Sequence, residues 1–457
     1  MGIFGAMTTA ITGLQAQSKA LEHISNNIAN SQTTGYKRTE TSFVDLVPDS
    51  PAKQQSLGVV NANSRPTNAV QGDVSISDTE TFMAINGDGY FIVGESIGVS
   101  DGNIVFNNED LYTRRGDFEL DRYGHLVNGG GYFLKGLPID PETGNPSGSS
   151  PEIVEVSNDF LAAKATTVVD YRTNLASYPL TTNSDEAVVG SELLNPADFA
   201  NDPTVGNDEF IQGVDNTIFI ENSISGGAVT AFDAGGNSAN VQFRWAKVDS
   251  VTSGGNDTWN LFYLEDSAAT GTDPAWRNVG TEYTFGIDGQ LSPAVTSITL
   301  TAPTVNGIPL GDIEINHGKN GITQFADANG TAKITDIGQN GYAAGELNGL
   351  SVSDQGRLVA NYSNGQQVAI AAVELANFNA DGFLRKLDGG AFQQTDESGQ
   401  PILGSQGNIV GSALESSNTD IADEFTKLIV TQQAYAANTR IVSTGDEMLQ
   451  EALNMVR

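Results

Sequence analysis

The sequence predicts a mainly β fold with α-helical termini. The two long end helices pair as a coiled coil, and two or more discontinuous β-barrel or sandwich-like domains are inserted in series between them. Three observations carry this. Apolar residues recur every seven positions at both ends of the chain. The four hundred residues between read as short strands broken by turns. The composition is rich in glycine (51 residues) and low in charge (17%), a balance that suits β-structure with tight turns.

The N-terminal repeat is Met7, Leu14 and Leu21, interleaved with Ala10, Gln17 and Ile24 and closed by Ile28. The C-terminal repeat is Ile421, Leu428, Tyr435, Val442, Leu449 and Val456. Such spacing over three or more heptads specifies a helical seam. The first helix spans 3–30, roughly 40 Å at 1.5 Å per residue. The last starts near Thr419 or Asp420, either of which suits a cap. It carries Asp423 and Glu424 in its first turn, where carboxylates match the helix dipole. Gly445 inside it costs about 1 kcal/mol relative to alanine and marks a bend or a close helix contact.

Residues 1–30 and 413–457 thus form an inner helical domain. Residues 31–75, with Pro48, Pro51, Gly58, Pro66 and Gly72, read as an extended connector. From 76 the pattern turns to strands. Phe82–Ile85, the turn Asn86-Gly87-Asp88-Gly89 and Tyr90–Val93 read as a hairpin. A second turn is expected at Asp121–Gly124, and further turns at Gln355-Gly356 and Ser363–Gly365. Segments 76–151 and 321–412 make a discontinuous first β domain. Residues 152–320 make an inserted outer β domain, with Val241, Phe243 and Trp245 alternating inward.

Net charge is −34, and residues 41–413 hold almost all of it. The ends, meant to bury against other copies, are near neutral. An acidic surface of this kind repels nucleic acid and anionic membranes, so neither is an expected partner. There is no cysteine, which rules out disulfides and thiol chemistry. No stretch reaches the 18 apolar residues of a membrane span. Met1–Thr12 has neither a basic start nor an unbroken apolar run, so no cleaved Sec-type signal is expected.

A search for catalytic or metal chemistry finds none, and no cofactor or metal is expected. His23, His125 and His317 share no ligand spacing, and no phosphate loop, nucleophile elbow or HExxH is present. Asp327-Ala328-Asn329-Gly330 lacks the ligand ladder of a calcium loop and reads as an Asx turn. Tyr90, Phe91, Tyr132 and Phe133 read as β core rather than as a carbohydrate-binding face.

Residues 13–21 (GLQAQSKAL), 24–30 (ISNNIAN) and 33–37 (TTGYK) resemble the N-terminal signature of the bacterial flagellar axial family of rod, hook and junction proteins. At the other end, residues 413–420 (ALESSNTD) and 429–438 (IVTQQAYAAN) are similar to its C-terminal pattern. Residues 85–93 (INGDGYFIV), 112–127 (YTRRGDFELDRYGHLV) and 361–366 (NYSNGQ) resemble its first β domain. The resemblance covers about half the chain, and the length of the 152–320 insertion favours the hook branch. It implies a structural protein, not an enzyme, that forms a homopolymeric tube outside the cell and transmits torque. Its implied partners are copies of itself, distal rod protein, hook–filament junction protein, hook cap and the export apparatus. Another axial component, rod-like or junctional, is the alternative. Asn26, Asn27, Asn30, Gly35 and Tyr36 are the motif residues. The three asparagines either bond to another subunit or the returning C-terminal chain, or simply cap the helix.

Overall fold

A computed structural model describes residues 3–46, 59–100, 102–140, 143–204, 209–404 and 407–455. Helix α1 spans Ile3–Ala29, α2 is the short Asn216–Glu221, and α3 spans Ile421–Met455. The remaining regular structure is almost all β, as the composition predicts. Among the described residues, no helix is long and apolar enough to cross a membrane.

The chain divides into two compact units. The first comprises 1–158, 348–361 and 367–457, and the second 159–347 with 362–366. The sequence reading placed the insertion at 152–320. The observed unit runs further because Ile322–Phe325 and Lys333–Gln339 both pair with Val168–Ala176, so they belong to the inserted sheet and not to the returning half. Strand pairing is non-local, and a turn-rich segment does not announce which sheet it will join.

In the first unit, Tyr90–Gly94 lies at the centre of a thirteen-stranded sheet. It pairs with Phe133–Pro138 and with Leu111–Thr113. Tyr90, Ile92, Tyr112, Phe378 and Phe392 pack on it as a buried cluster, with edge-to-face rings such as Tyr112 and Phe378 at 4.8 Å. Phe91, Tyr132 and Phe133 are buried too. The turns at 121–124 and 363–365 close antiparallel pairs as expected. The turn at 86–89 does not. Met83–Asn86 pairs with Asn408–Gly411 instead, so the link crosses between sheets. Turn chemistry is local. Strands buried along most of their length, as these two are, find partners far away in sequence.

Residues 31–75 are not an extended connector. Thr39–Leu46 and Val59–Pro66 form an antiparallel ribbon in full register that packs along α1. Val74–Ile76 pairs with Ala413–Glu415. Of the prolines and glycines that suggested a connector, Pro66 ends the second strand of the ribbon and Gly72 precedes Val74–Ile76. Pro48, Pro51 and Gly58 lie outside the described residues.

The second unit is built from a five-stranded antiparallel sheet, ordered 210–212, 274–285, 257–264, 238–249, 224–232, and a five-stranded mixed sheet around Val168–Ala176. One core joins them, including Val241, Phe243 and Trp245 from the first and Tyr171, Leu175 and Ile315 from the second. At its centre His317 is fully buried. Its Nδ1 lies 2.9 Å from the Tyr171 carbonyl, which can only accept, so Nδ1 carries the proton. Nε2 then accepts from the Tyr283 hydroxyl at 2.8 Å. Asn329 N–H donates to Asp327 Oδ1 at 2.8 Å in the expected Asx turn.

Burial holds the His317 pKa below its ordinary 6.5. The unfolded chain therefore takes up the proton first as pH falls through 6.5. This group's stabilisation is complete above that value and is lost as pH falls toward its folded pKa, by up to about 1.4 kcal/mol per pH unit. Calorimetry from pH 7.5 to 5.0 is expected to show the second unit melting lower in acid. His317→Gln should flatten that slope while lowering stability at pH 7.5.

Candidate functional site

The two ends of the chain meet in the first unit. Helices α1 and α3 pack against each other. Asn27 contacts Glu424, Gly13 faces Asn438 and Met7 lies against Gly445. Rising numbers on one helix meet falling numbers on the other, so the pair is antiparallel. A Cβ on Gly445 would sit 2.9 Å from the Met7 Cγ; this glycine marks a close helix contact.

The seam differs from the one the heptads suggest. On α1, Ile24 is buried, while Met7, Leu14, Leu21 and Ile28 are half-buried. The other buried positions include Ala10, Ala16 and Ala20, small residues that let another element approach closely. On α3, Leu428, Val442 and Leu449 are half-buried, but Ile421 and Tyr435 are exposed. Val456 lies outside the described residues. The buried positions of α3 are Glu424, Thr431 and Gly445, with Asn438 against Gly13. These interleave with Leu428, Val442 and Leu449 at spacings of three and four. Half of the seam is thus polar or tiny, and a search for apolar residues passes over it. A second stripe, Val430, Ala437, Ile441, Met448 and Met455, keeps heptad-related spacing and lies exposed on α3.

Below the helices, the two chain ends are locked to the β framework by a buried charge cluster. Glu415 and Lys37 side chains are wholly inaccessible and form an ion pair. Glu415 Oε1 also accepts from Gly72 N–H at 2.8 Å, and Oε2 lies 3.5 Å from Arg114 Nη1. Lys37 Nζ donates to the Val70 carbonyl at 2.7 Å. Arg114 Nη2 donates to the Gly87 carbonyl at 2.9 Å, and its guanidinium lies 5.3 Å from the Tyr90 ring centre. Burial pulls the Lys37 pKa down, and the Glu415 carboxylate opposes that pull. One carboxylate therefore ties the N-terminal chain, the C-terminal chain and the β domain together.

The motif residues fall around this cluster. Gly35 has φ +65°, and its Cβ would meet the Arg114 backbone at 2.9 Å; only glycine fits both demands. Its N–H donates to the Glu415 carbonyl at 2.8 Å. Asn27 donates to the Thr39 carbonyl and to Glu424 Oε2, and accepts from Thr39 N–H at 3.0 Å and the Tyr36 hydroxyl at 3.3 Å. Asn30 donates to the Asn26 carbonyl at 2.9 Å, closing the end of α1. The Asn26 side chain is exposed. Of the three asparagines, one thus bridges to the C-terminal helix and one caps. Asn418 accepts from Arg38 N–H at 2.8 Å and donates to Thr67 Oγ1 and the Val70 carbonyl. Asp420, not Thr419, caps α3, accepting from Ala422 and Asp423 N–H. His23 is sandwiched between the Thr41 and Ser64 hydroxyls and fastens the ribbon to α1. Beside it a cavity of about 310 Å³ is lined by Ala20, Ile24, Phe43, Glu424 and Thr431 among others.

Sequence reasoning missed Lys37, Arg114, Glu415, Glu424 and Asn418 as site residues. The available signal was that four of them sit inside or beside the quoted motifs: Lys37 ends TTGYK, Arg114 lies in YTRRGDF, and Glu415 and Asn418 lie in ALESSN.

Comparison with known proteins agrees with this layout. Residues 7–37 match the family model described as flagella basal body rod protein. Residues 84–161 match the flagellar hook protein FlgE/F/G D1 domain, 223–342 the flagellar basal body protein FlaE D2 domain, and 410–455 the flagellar basal body rod FlgEFG protein C-terminal model. These four segments define a flagellar rod or hook protein. The flagellar hook protein FlgE of Brucella suis is 30% identical over 462 aligned residues, covering all of both chains. That of Escherichia coli is 28% identical, covering 98% of this chain and all of its own. A crystal structure of Helicobacter pylori flagellar hook protein FlgE2 matches with a TM-score of 0.49 at 16% identity, covering 75% of this chain and 100% of that one. The chain belongs to the flagellar hook protein FlgE family. These relatives are structural components of the flagellum.

Removing one partner from a buried ion cluster leaves uncompensated charge, which costs about 3–5 kcal/mol. Glu415→Ala is therefore expected to lower the unfolding free energy of the first unit, read from its urea transition, by that amount. Asp420→Ala, which removes a helix cap, should cost only about 1 kcal/mol. Equal effects of the two substitutions would refute the central role of the cluster.

Proposed function

We propose that this chain is the structural subunit of the flagellar hook. It polymerises through its terminal helices into a curved, flexible helical tube that carries torque from rod to filament and encloses part of the export channel. The observation that carries the reading is the exposed stripe on α3. Val430, Ala437, Ile441, Met448 and Met455 form a seam with no partner in the protomer among the described residues, on a helix whose inner face is already occupied by α1. A run of exposed aliphatic side chains at heptad spacing calls for a second helix, and a second copy supplies one at the same register along a tube.

The intramolecular seam supports the same reading. With Glu424, Thr431, Asn438 and Gly445 on one side, it buries little apolar area, so the pair is weak alone and gains stability when neighbours add theirs. The near-neutral ends suit burial in a tube wall, and the acidic bulk suits the outside. Compliance of the tube then belongs to the joints between rigid bodies. The axial partners suggested by family resemblance are the distal rod protein, the hook–filament junction protein, the hook cap and the export apparatus. Full-length coverage by hook relatives and the match at 223–342 favour the hook over a shorter rod component.

Purified chain at high concentration is expected to form curved hollow cylinders in electron micrographs. Met448→Asp and Leu428→Asp should each abolish them while the β units keep their melting transitions. A Met448→Asp chain that still forms tubes would place the assembly seam elsewhere.

A further inference from the structure

The first unit carries a second surface that the helices do not explain. Ser96–Ser100 and Asn103–Phe106 form a two-stranded antiparallel ribbon, with Val99 opposite Ile104 and Gly98 opposite Val105. Among the described residues its strands pair only with each other, so both outer edges are open. An isolated two-stranded ribbon is marginal in water, and open edges invite further pairing. This one also exposes its aliphatic side chains: Ile97 at 66%, Val99 at 62% and Val105 at 39%.

The base of the ribbon is anchored. Asn107 N–H donates to the Glu95 carbonyl at 2.8 Å. Phe106 packs edge-to-face on Phe133, ring centres 5.0 Å apart, and on His125 at 5.4 Å. The ribbon is therefore held at a fixed root, and among the described residues nothing covers Ile97 or Val99.

We propose that this ribbon docks on a second copy of the same chain, forming an assembly contact separate from the helical seam. The argument for the occupant is electrostatic. Each copy carries a net charge of −34, so copies repel over most of their surface. Ser96–Ser100 and Asn103–Phe106 contain no charged residue. Glu95 and Asp101 flank the first strand, and these uncharged aliphatic strands are a place where two such molecules can touch with few like charges brought together. In a homopolymer that neighbour is present at every lattice position, which raises its effective concentration far above that of any free partner. The proposal rests on the hook-subunit reading and adds to it a contact made by the β framework.

The chain has no cysteine, so Val99→Cys introduces a single thiol at an exposed position. Its reaction with N-ethylmaleimide, followed by mass, is compared in monomer and in sedimented polymer. The expected result is complete reaction in the monomer and a rate at least tenfold lower in the polymer. Equal rates in a well-formed polymer overturn the ribbon contact and leave the helical seam standing. Failure of the unsubstituted chain to form any polymer overturns the hook-subunit reading and this contact with it. Independently, Val99→Lys should raise the critical concentration for polymerisation at least fivefold with the monomer melting curve unchanged. An unaltered critical concentration counts equally against the proposal.

Discussion

The rest of the first unit depends on one buried carboxylate. Glu415 collects Lys37, Arg114 and the Gly72 N–H at the point where the outgoing and returning chains cross the β framework. A carboxylate this deep is costly unless it is paired and hydrogen-bonded, and here Lys37 and Gly72 N–H serve Oε1 while Arg114 faces Oε2. The same requirement governs the neighbouring backbone. Gly35 must be glycine to pass the Arg114 main chain, and Val74–Ile76 must pair with Ala413–Glu415 to hold the acid in place. A cluster of this kind is intolerant of small displacements, so it sets the position from which both terminal helices leave.

From that root the two helices run against each other. Their mutual face mixes alanine, glycine and polar side chains with half-buried leucine and valine, and the small residues permit close approach. The hydrogen bond of Asn27 to Glu424 and the close approach of Asn438 to Gly13 discourage sliding, because a shifted register would strand the buried Asn27 amide and Glu424 carboxylate. Leu428, Val442 and Leu449 are half-buried in that face, whereas Val430, Ile441, Met448 and Met455 are exposed. The protomer is thus specific where it meets itself, and it leaves an exposed aliphatic stripe on α3 for the proposed assembly contact.

Much of this was legible from residues alone. Heptad spacing located both helices almost to the residue, and alternation at Val241, Phe243 and Trp245 identified an inward strand face. The helical seam was read only in part. Leu428, Val442 and Leu449 were visible because they are apolar, whereas Glu424, Thr431 and Asn438 carry the same periodicity in residues that a hydrophobic pattern ignores. Tyr435 and Ile421 keep the period but sit at the edge of the interface. The ribbon at 39–66 read as a tether because its prolines and glycines were weighed more heavily than its pairing potential.

The amino-acid order by itself determined the local periods, the caps and turns, the charge partition between ends and middle, and, through the motifs, the family. These are properties of neighbours in the chain. Only the tertiary structure decided that Met83–Asn86 pairs with 408–411 and not across its own turn. It also decided that 322–339 joins the inserted unit, and that Lys37, Arg114 and Glu415 share one site. Those arrangements join residues dozens to hundreds of positions apart. Their free energy comes from burial and charge pairing that do not exist until the distant segments are in contact.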